Sequence, residues 1–285
     1  MTDQFLQQID VPCTQRNYRI GLAKFKEWFE AEKGELDWRM LDRLVIREYV
    51  RSMSGKFERG TIKGRIIAIK AFYKWAKRMG MVDHNPAKDI IIPKQPSKLP
   101  RFLTTDQAIA LLDAPLQMGR TLERIRDAAM FETLYSSGLR ISELCAMNRS
   151  DIRMDEGEAT IKGKGMIERL APLTSTSVER IREYWDELED PPTGSEPAFH
   201  TAAGDRIYPR LVQRQMKVYL AHAKLDPKLS PHKIRHSFAT HMLDAGCDLR
   251  SVQELMGHSK ITSTEIYTHV TIGRLQKAYQ VHPRS

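Results

Sequence analysis

The chain has 285 residues, of which 41% are hydrophobic and 28% charged, a composition typical of a globular protein long enough for two cores and unlike that of a disordered chain. No run of residues is long and apolar enough to span a bilayer, and the N-terminus lacks the parts of a signal peptide, so we expect a cytoplasmic protein without a membrane partner. The formal net charge of +9 favours a polyanionic partner.

The positive charge is concentrated in the first third of the chain. Residues 1–100 contain 20 lysines and arginines against 12 acidic residues, whereas the remaining 185 residues contain 25 against 24. A polyanion is therefore expected to contact the N-terminal part broadly. Residues 101–285 are nearly neutral overall, so an anion-binding site in this part requires lysines and arginines that cluster locally.

The three cysteines, Cys13, Cys145 and Cys247, are odd in number and far apart in the sequence. This spacing argues against a disulfide framework and against a zinc site built from cysteines. We expect all three to be reduced and packed.

Helical periodicity predicts short helices over 14–32, 38–53, 61–79 and 86–91. The segment 61–79 shows the pattern most clearly, because its large apolar residues recur three or four positions apart and Gly80 follows it. Its lysines fall together on an adjoining face. That face is either a solvated surface or a nucleic-acid contact, and the charge excess favours the second interpretation. The lysines expected to make this nucleic-acid contact are Lys63, Lys70 and Lys74.

A proline-rich stretch separates the basic part from the rest. Residues 93–104, PKQPSKLPRFLT, contain three prolines and several basic residues without a regular apolar period, which is typical of an exposed linker. We therefore predict an N-terminal domain over 1–94, a linker over 95–104 and a C-terminal domain over 105–285.

Helices also dominate the C-terminal part, with one exception. Short β-leaning runs flank Gly163-Lys164-Gly165, which predicts a hairpin. The predicted fold class is thus mainly α with a small antiparallel β-sheet, in two domains. Helices are predicted over Thr105–Asp113, 121–138, 142–148, 176–189, 209–224, 231–245, 248–256, 260–268 and 273–280.

The stretch 230–242, SPHKIRHSFATHM, places three histidines, a lysine and an arginine on one of these helices. His232 and His236 have the spacing of a zinc-binding helix, but the glutamate of that motif is absent and two cationic residues stand between them. An anion suits the site better. Ser230 is suited to cap the helix and Pro231 to begin it, so His232 falls in the first turn, where unpaired backbone N–H groups favour negative charge.

Five short stretches carry candidate chemical residues, namely arginine, glutamate, lysine, histidine and tyrosine. They are SSGLRISEL with Arg140 and Glu143, KGKGMIERL with Lys164, PHKIRH with His232 and Arg235, LMGHS with His258, and TEIYTHV with Tyr267. In this order and spacing they resemble the tyrosine recombinase family of site-specific DNA integrases and resolvases, most closely its bacterial Xer-type members. The resemblance implies a helical SAM-like core-binding domain followed by a tyrosine recombinase catalytic domain.

The resemblance also implies a reaction and partners. Members of the family cleave and rejoin double-stranded DNA through a 3′-phosphotyrosine and a Holliday junction, and four protomers form the synaptic tetramer. An Xer-type role implies chromosome dimer resolution, with a second Xer-type recombinase and a septal DNA translocase as possible partners. The terminal segment 273–285 is a candidate for docking on a neighbouring protomer, or else a frayed tail. No metal and no other cofactor is expected.

Chemical reasoning supports the same residues. In-line attack on a phosphodiester spreads negative charge over non-bridging oxygens, and the planar guanidinium forks of Arg140 and Arg235 match such oxygens. Glu143, one helical turn from Arg140, is placed to hold that guanidinium. His232 and His258 are able to donate hydrogen bonds or move protons near neutral pH.

The resemblance assigns the two remaining roles. Lys164, at the hairpin turn, is the general acid for the leaving 5′-oxygen, and Tyr267 is the nucleophile. A phenol has an unperturbed pKa of about 10, so it needs cationic neighbours or a base to attack as phenolate.

The chain departs from the Xer pattern at one place. After the Gly-Lys-Gly turn, the usual asparagine and lysine are replaced by Met166 and Ile167, which removes a basic side chain beside the turn. Glu168 and Arg169 agree with the pattern. Lys164 itself is retained. The lost basic side chain is expected to affect how the hairpin lies on DNA.

The residues alone leave other interpretations open. Arg140 is also suited to a purely structural salt bridge, and Tyr267 is also suited to a place in the hydrophobic core. His236 and His241 are expected to pack in the core or to cap a helix. The alternatives to an Xer-type recombinase are a mobile-element or phage integrase, a type IB topoisomerase, a DNA-binding protein without catalysis, and a zinc hydrolase built on His232 and His236.

Overall fold

The computed structural model describes residues 1–91, 102–163, 168–257, 282 and 284. None of the helices in these ranges is both long and apolar enough to cross a membrane. The chain forms two compact units, Met1–Lys98 and Leu99–Ser285, each with its own hydrophobic core. The predicted linker, 95–104, falls largely outside the described residues, so its limits stay a prediction.

The first unit is helical throughout its described elements. The segment 61–79 was expected to bury one apolar face, and this is confirmed, because Ile62, Ile66 and Ile69 are all buried. A Cβ at Gly21 would lie 2.7 Å from the Cβ of Ala68, so glycine allows two helices to pack closely. The helices are α1 Thr2–Gln7, α2 Pro12–Lys33, α3 Arg43–Met53 and α4 Arg59–Arg78.

Two side-chain caps explain where the predictions for this unit were wrong. Asp42 accepts a hydrogen bond from the backbone N–H of Val45 at 2.9 Å, so α3 begins after this cap and excludes 38–42. Asn85 accepts one from the backbone N–H of Ala87 at 2.9 Å, and this local turn replaces the helix predicted over 86–91.

The second unit surrounds one buried helix, α6. Every residue of α6 from Ile125 to Ser137 is buried, and the helix packs on α5, α8 and α10. Its polar side chains therefore need partners inside the protein. The helices of this unit are α5 Thr105–Gln117, α6 Leu122–Ser137, α7 Ile141–Ala146, α8 Ser175–Asp186, α9 Pro209–His222, α10 Pro231–Asp244 and α11 Leu249–Leu255.

A three-stranded antiparallel sheet contains the predicted hairpin. Its strands are β1 Ile152–Arg153, β2 Glu158–Lys162 and β3 Glu168–Pro172, in the order β1-β2-β3. The sequence pattern predicts β2 and β3 but not the two-residue β1. The turn residues 164–167 lie outside the described residues.

Three further predictions need comment. α5 continues to Gln117, beyond the predicted end at Asp113. The helices predicted over 260–268 and 273–280 lie outside the described residues. The cysteine prediction was wrong for one residue: Cys145 and Cys247 are buried, but Cys13 is exposed because it lies on the outer face of α2.

Arg284 neutralises a buried carboxylate on α6. Its Nη2 lies 2.8 Å from Glu132 Oε2 and 2.8 Å from Asp113 Oδ1, and Thr176 Oγ1 donates a hydrogen bond to its carbonyl oxygen. The Glu132 side chain is only 1% exposed. Burial raises the pKa of Glu132, and the hydrogen bond from Arg284 opposes that shift.

We predict that Arg284→Ala lowers the free energy of unfolding by about 3 kcal/mol, because it leaves the Glu132 carboxylate buried without its counter-ion. Urea unfolding of the full chain at neutral pH measures the loss. Arg153→Ala is the control, since Arg153 is 41% exposed and pairs with Glu156 and Glu158 near the surface, and its loss is expected to cost less than about 1 kcal/mol. Equal effects of the two changes would contradict this account of the Glu132 pair.

Candidate active site

Arg140 lies where α6 ends and α7 begins. Gly138 closes α6 with φ +57°, and a Cβ there would lie 2.4 Å from Cδ1 of Phe238 on α10. Glycine therefore permits both the left-handed turn and the close approach of α10. Arg140 occupies the N-cap position of α7, and its side chain is 40% exposed, which leaves guanidinium donors accessible.

The buried carboxylate of Glu143 lies within 4 Å of three guanidiniums. Its Oε1 accepts a hydrogen bond from Arg140 Nη1 at 2.7 Å, which is the contact predicted from their spacing. Arg169 on β3 donates to both carboxylate oxygens, from Nη1 at 3.2 Å and Nη2 at 2.9 Å. Arg235 Nη1 lies 3.9 Å from Oε2. Burial alone would raise the pKa of Glu143, but hydrogen bonds from Arg169 and Arg140 outweigh it and lower the pKa, so the carboxylate is charged at neutral pH.

Arg235 on α10 is 6% exposed and spans two backbone segments. Its Nη1 donates to the carbonyl of Gly138 at 2.6 Å, and its Nη2 donates to the carbonyl of Met256, just beyond α11. Burial and the like charges of Arg140 and Arg169 lower the pKa of Arg235 to about 10. The guanidinium therefore remains charged at neutral pH, and α6, α10 and α11 meet around it.

The first turn of α10 presents His232 to solvent. His232 is exposed, and it precedes the buried Arg235 by one helical turn. Ser230 stands at the N-cap as predicted, but the prediction that its side chain caps the helix was wrong, because that side chain makes no capping hydrogen bond. His232 is therefore the accessible histidine of this stretch.

The other two histidines of α10 have packing roles, as predicted. His241 is buried, with Nδ1 2.7 Å from the hydroxyl of Tyr135 and Nε2 2.8 Å from the carbonyl oxygen of Leu103. His236 packs its ring against Phe102 with ring centroids 6.2 Å apart. In the described part of the chain, no three His, Cys, Asp or Glu side chains lie close enough together to hold a metal ion.

Three of the candidate catalytic residues, Lys164, His258 and Tyr267, lie outside the described residues, and their roles stay predictions. The described segments end next to Lys164 and His258 in sequence. The ladder of β2 and β3 ends with the pair Lys162 and Glu168, and α11 is followed by Met256 and Gly257.

Two of the lysines expected to bind DNA line a basic depression of about 540 Å³ in the first unit. Lys74 is exposed, whereas Lys70 is half-buried and donates a hydrogen bond to the carbonyl of Lys88 at 3.2 Å. Lys63 is exposed but does not line this depression. The residues that line it are Lys70, Lys74, Lys77, Arg78, Asn85 and Lys88.

Two family models cover most of the chain. The phage integrase family matches residues 101–274, and the phage integrase N-terminal SAM-like domain matches residues 4–80. The chain belongs to the phage integrase family, that is, to the tyrosine recombinases. Its predicted family and fold class are thereby confirmed.

Curated relatives place this recombinase among Xer proteins. It is 38% identical to tyrosine recombinase XerC of Pelobacter propionicus over 276 residues, covering 96% of this chain and 90% of that protein. It is 37% identical to tyrosine recombinase XerC of Pelotomaculum thermopropionicum over 301 residues, covering 99% and 98%. The chain is thus a tyrosine-type, Xer-like site-specific recombinase, as predicted.

A solved structure has the same fold. The XerH site-specific recombinase bound to a palindromic difH substrate superposes with a TM-score of 0.72 at 23% identity, covering 93% of this chain and 78% of that one. At this identity the likeness concerns the fold alone. It agrees with the arrangement of a helical N-terminal unit and a second unit with a small sheet.

Sequence reasoning found Arg140, Glu143 and Arg235 but did not assign a role to Arg169. In the structure this arginine is 7% exposed and is a partner of Glu143. Its position on a strand beside the hairpin is readable from the sequence. Its burial is not, since an arginine in a half-buried strand is ordinarily assigned to the solvent face.

We predict that Gly138→Ala lowers the free energy of unfolding by about 3 kcal/mol, from backbone strain and a clash with Phe238. Gly194→Ala is the matched control, because Gly194 has φ +46° and open space around the added Cβ. It is expected to cost about 1 kcal/mol. Thermal or urea unfolding compares them, and equal losses would show that the approach of α10 to Gly138 is not tight.

Proposed function

We propose that this recombinase cleaves double-stranded DNA with Arg140 and Arg235 bound to the scissile phosphate and Tyr267 as the nucleophile. The observation that carries the proposal is the convergence of these two arginines, from different elements, on one buried carboxylate. Two fixed guanidiniums side by side repel each other, so a site that holds them together is suited to an anion.

Each guanidinium has a separate task at the phosphate. Arg140 is the more exposed of the two, and Glu143 holds it through Nη1, so the proposal assigns its other guanidinium donors to DNA. Arg235 is buried and hydrogen-bonded to two backbone carbonyls, and it supplies positive charge to the phosphate from the protein interior. Donors that are already oriented stabilise the charge of the pentacoordinate phosphorus without reorganising during the reaction.

The covalent step is a transesterification. The phenolate oxygen of Tyr267 attacks phosphorus, a 3′-phosphotyrosine bond forms, and the bond to the 5′-oxygen breaks. Lys164 donates a proton to that oxygen, and His232 and His258 donate hydrogen bonds to the phosphate or move the phenol proton. A 5′-hydroxyl of the partner strand then attacks the 3′-phosphotyrosine, which forms a new phosphodiester bond and releases Tyr267. This strand exchange passes through a Holliday junction within a tetramer.

The biological role proposed is Xer-like chromosome dimer resolution in the cytoplasm. Similarity to two XerC proteins over nearly the whole chain supports it. Solved relatives bound to DNA, including a lambda integrase dimer on a core site, support a double-stranded DNA partner and an oligomeric assembly. A second Xer-type recombinase and a septal DNA translocase are the further partners that the family resemblance implies.

DNA contacts outside the active site are proposed for the first unit. Lys70 and Lys74 share a depression with three further cations, and Lys63 lies exposed on the same helix. Such a cluster neutralises backbone phosphates and releases counter-ions, which makes affinity depend strongly on salt. These lysines are therefore proposed to add affinity without reading sequence.

Tyr267→Phe is expected to bind a DNA half-site normally and to form no covalent adduct, because it lacks the attacking oxygen. The measurement uses a nicked suicide substrate and a denaturing gel. Tyr208→Phe is the control, since Tyr208 is an exposed tyrosine of the same unit and its loss should leave the adduct yield unchanged. An adduct of normal yield with Tyr267→Phe would remove Tyr267 from the mechanism.

Arg235→Lys is expected to slow cleavage by about 100-fold, since a lysine keeps the charge but loses the planar fork. Binding of the half-site should change by no more than about threefold. Arg210→Ala, at an exposed arginine of α9, controls for the loss of a surface cation. Equal losses of binding and cleavage by Arg235→Lys, in a variant with normal unfolding, would make Arg235 a docking residue only.

A further inference from the structure

Arg169 occupies a position where the strand pattern calls for an apolar residue. Alternate residues of β2 and β3 face the core, and Ala159, Ile161 and Ala171 are buried there. Arg169 pairs with Ile161 across the ladder and shares this face, with 7% of its surface exposed. A buried guanidinium is costly unless it is fully paired, so its partners indicate what it is for.

The partners of Arg169 join three elements of the active site. From β3, it donates two hydrogen bonds to Glu143 on α7, and its Nε donates to the carbonyl of Leu255 at the end of α11 at 3.3 Å. Gly257 lies against it, because a Cβ there would be 3.0 Å from Arg169 Cδ. Arg169 thus connects the hairpin strand, the Arg140 helix and the segment that precedes His258 in sequence.

Charge balance shows why this pairing matters for the other two arginines. The Glu143 carboxylate carries one negative charge and faces three guanidiniums, and Arg169 engages both of its oxygens. Without Arg169, the carboxylate would attract Arg140 and Arg235 more strongly. Arg235, now 3.9 Å away, would move toward Glu143 and away from the Gly138 carbonyl, and fewer donors of Arg140 would face a phosphate.

We infer that Arg169 is a positioning residue for phosphate binding: it holds Glu143, and through Glu143 it sets the placement of Arg140 and Arg235. This inference rests on the proposed function of those two arginines. Arg169 itself is not assigned a phosphate contact, because each of its three guanidinium nitrogens already donates a hydrogen bond to Glu143 or to the carbonyl of Leu255.

The test compares Arg169→Gln and Arg169→Lys with the wild-type chain in single-turnover cleavage of a suicide substrate and in half-site binding. Both variants are expected to cleave about 10- to 100-fold more slowly, because displaced catalytic groups lose rate steeply with distance, while binding changes by no more than about threefold. Arg169→Lys keeps the charge and most of the volume, so it carries the test if Arg169→Gln fails to fold. Cleavage by Arg169→Lys at the wild-type rate would overturn the inference.

A substrate with a neutral scissile phosphate distinguishes two causes of slower cleavage in the Arg169 variants: misplaced arginines and a general loss of structure. A methylphosphonate at the cleavage site has no negative charge on its non-bridging oxygen, so it depends less on the two arginines. The rate ratio of wild type to each Arg169 variant should therefore shrink by about tenfold on this substrate. An unchanged ratio would mean that Arg169 only stabilises the fold, and the inference would fail.

Arg126→Gln is the matched control. Arg126 is a buried arginine of the same unit, bonded to Asp127 and to the carbonyl of His200, and it lies toward the end of α6 opposite to Gly138 and Arg140. The Arg126→Gln variant should lower the free energy of unfolding, and the ratio of the wild-type rate to its rate should be the same on the phosphodiester and the methylphosphonate. If the wild-type chain forms no covalent adduct at all, the proposed function fails; if it does and the Arg169 variants behave as Arg126→Gln does, only the inference about Arg169 fails.

Discussion

One buried negative charge, the carboxylate of Glu143, organises the proposed active site. Guanidiniums repel one another, and Arg140, Arg169 and Arg235 come from three different elements: an N-cap, a strand and a helix. The carboxylate offsets part of their charge and leaves a net positive site. That balance is what a phosphodiester requires, because a fully neutral cluster would not attract it and an unpaired cluster would not fold.

The buried helix α6 gives this cluster its place. It ends at Gly138, whose missing side chain lets Phe238 of α10 approach and whose carbonyl accepts a hydrogen bond from Arg235. Arg235 and Arg169 then hold successive carbonyls, those of Met256 and Leu255, where α11 ends. The backbone before His258 is thus fixed by two of the arginines that surround Glu143, so fold stability and the geometry of the proposed active site depend on shared contacts.

Much of this arrangement is predictable from the sequence, for identifiable reasons. The apolar face of α4, the hairpin and the contact between Arg140 and Glu143 follow from local spacing, which a single chain displays directly. The start of α3 and the turn after Asn85 do not, because single side-chain caps override periodicity there. The role of Arg169 is also unpredictable, since its burial depends on Glu143, 26 positions away, and on Leu255, 86 positions away.

The most direct test of this account is a crystal structure of the recombinase bound to an uncleaved DNA half-site. The account predicts that the guanidiniums of Arg140 and Arg235 both donate hydrogen bonds to the scissile phosphate while Arg169 remains bonded to Glu143 and does not touch DNA. A scissile phosphate bound away from Arg140 and Arg235, with Glu143 still surrounded by its three arginines, would show that the cluster only stabilises the fold.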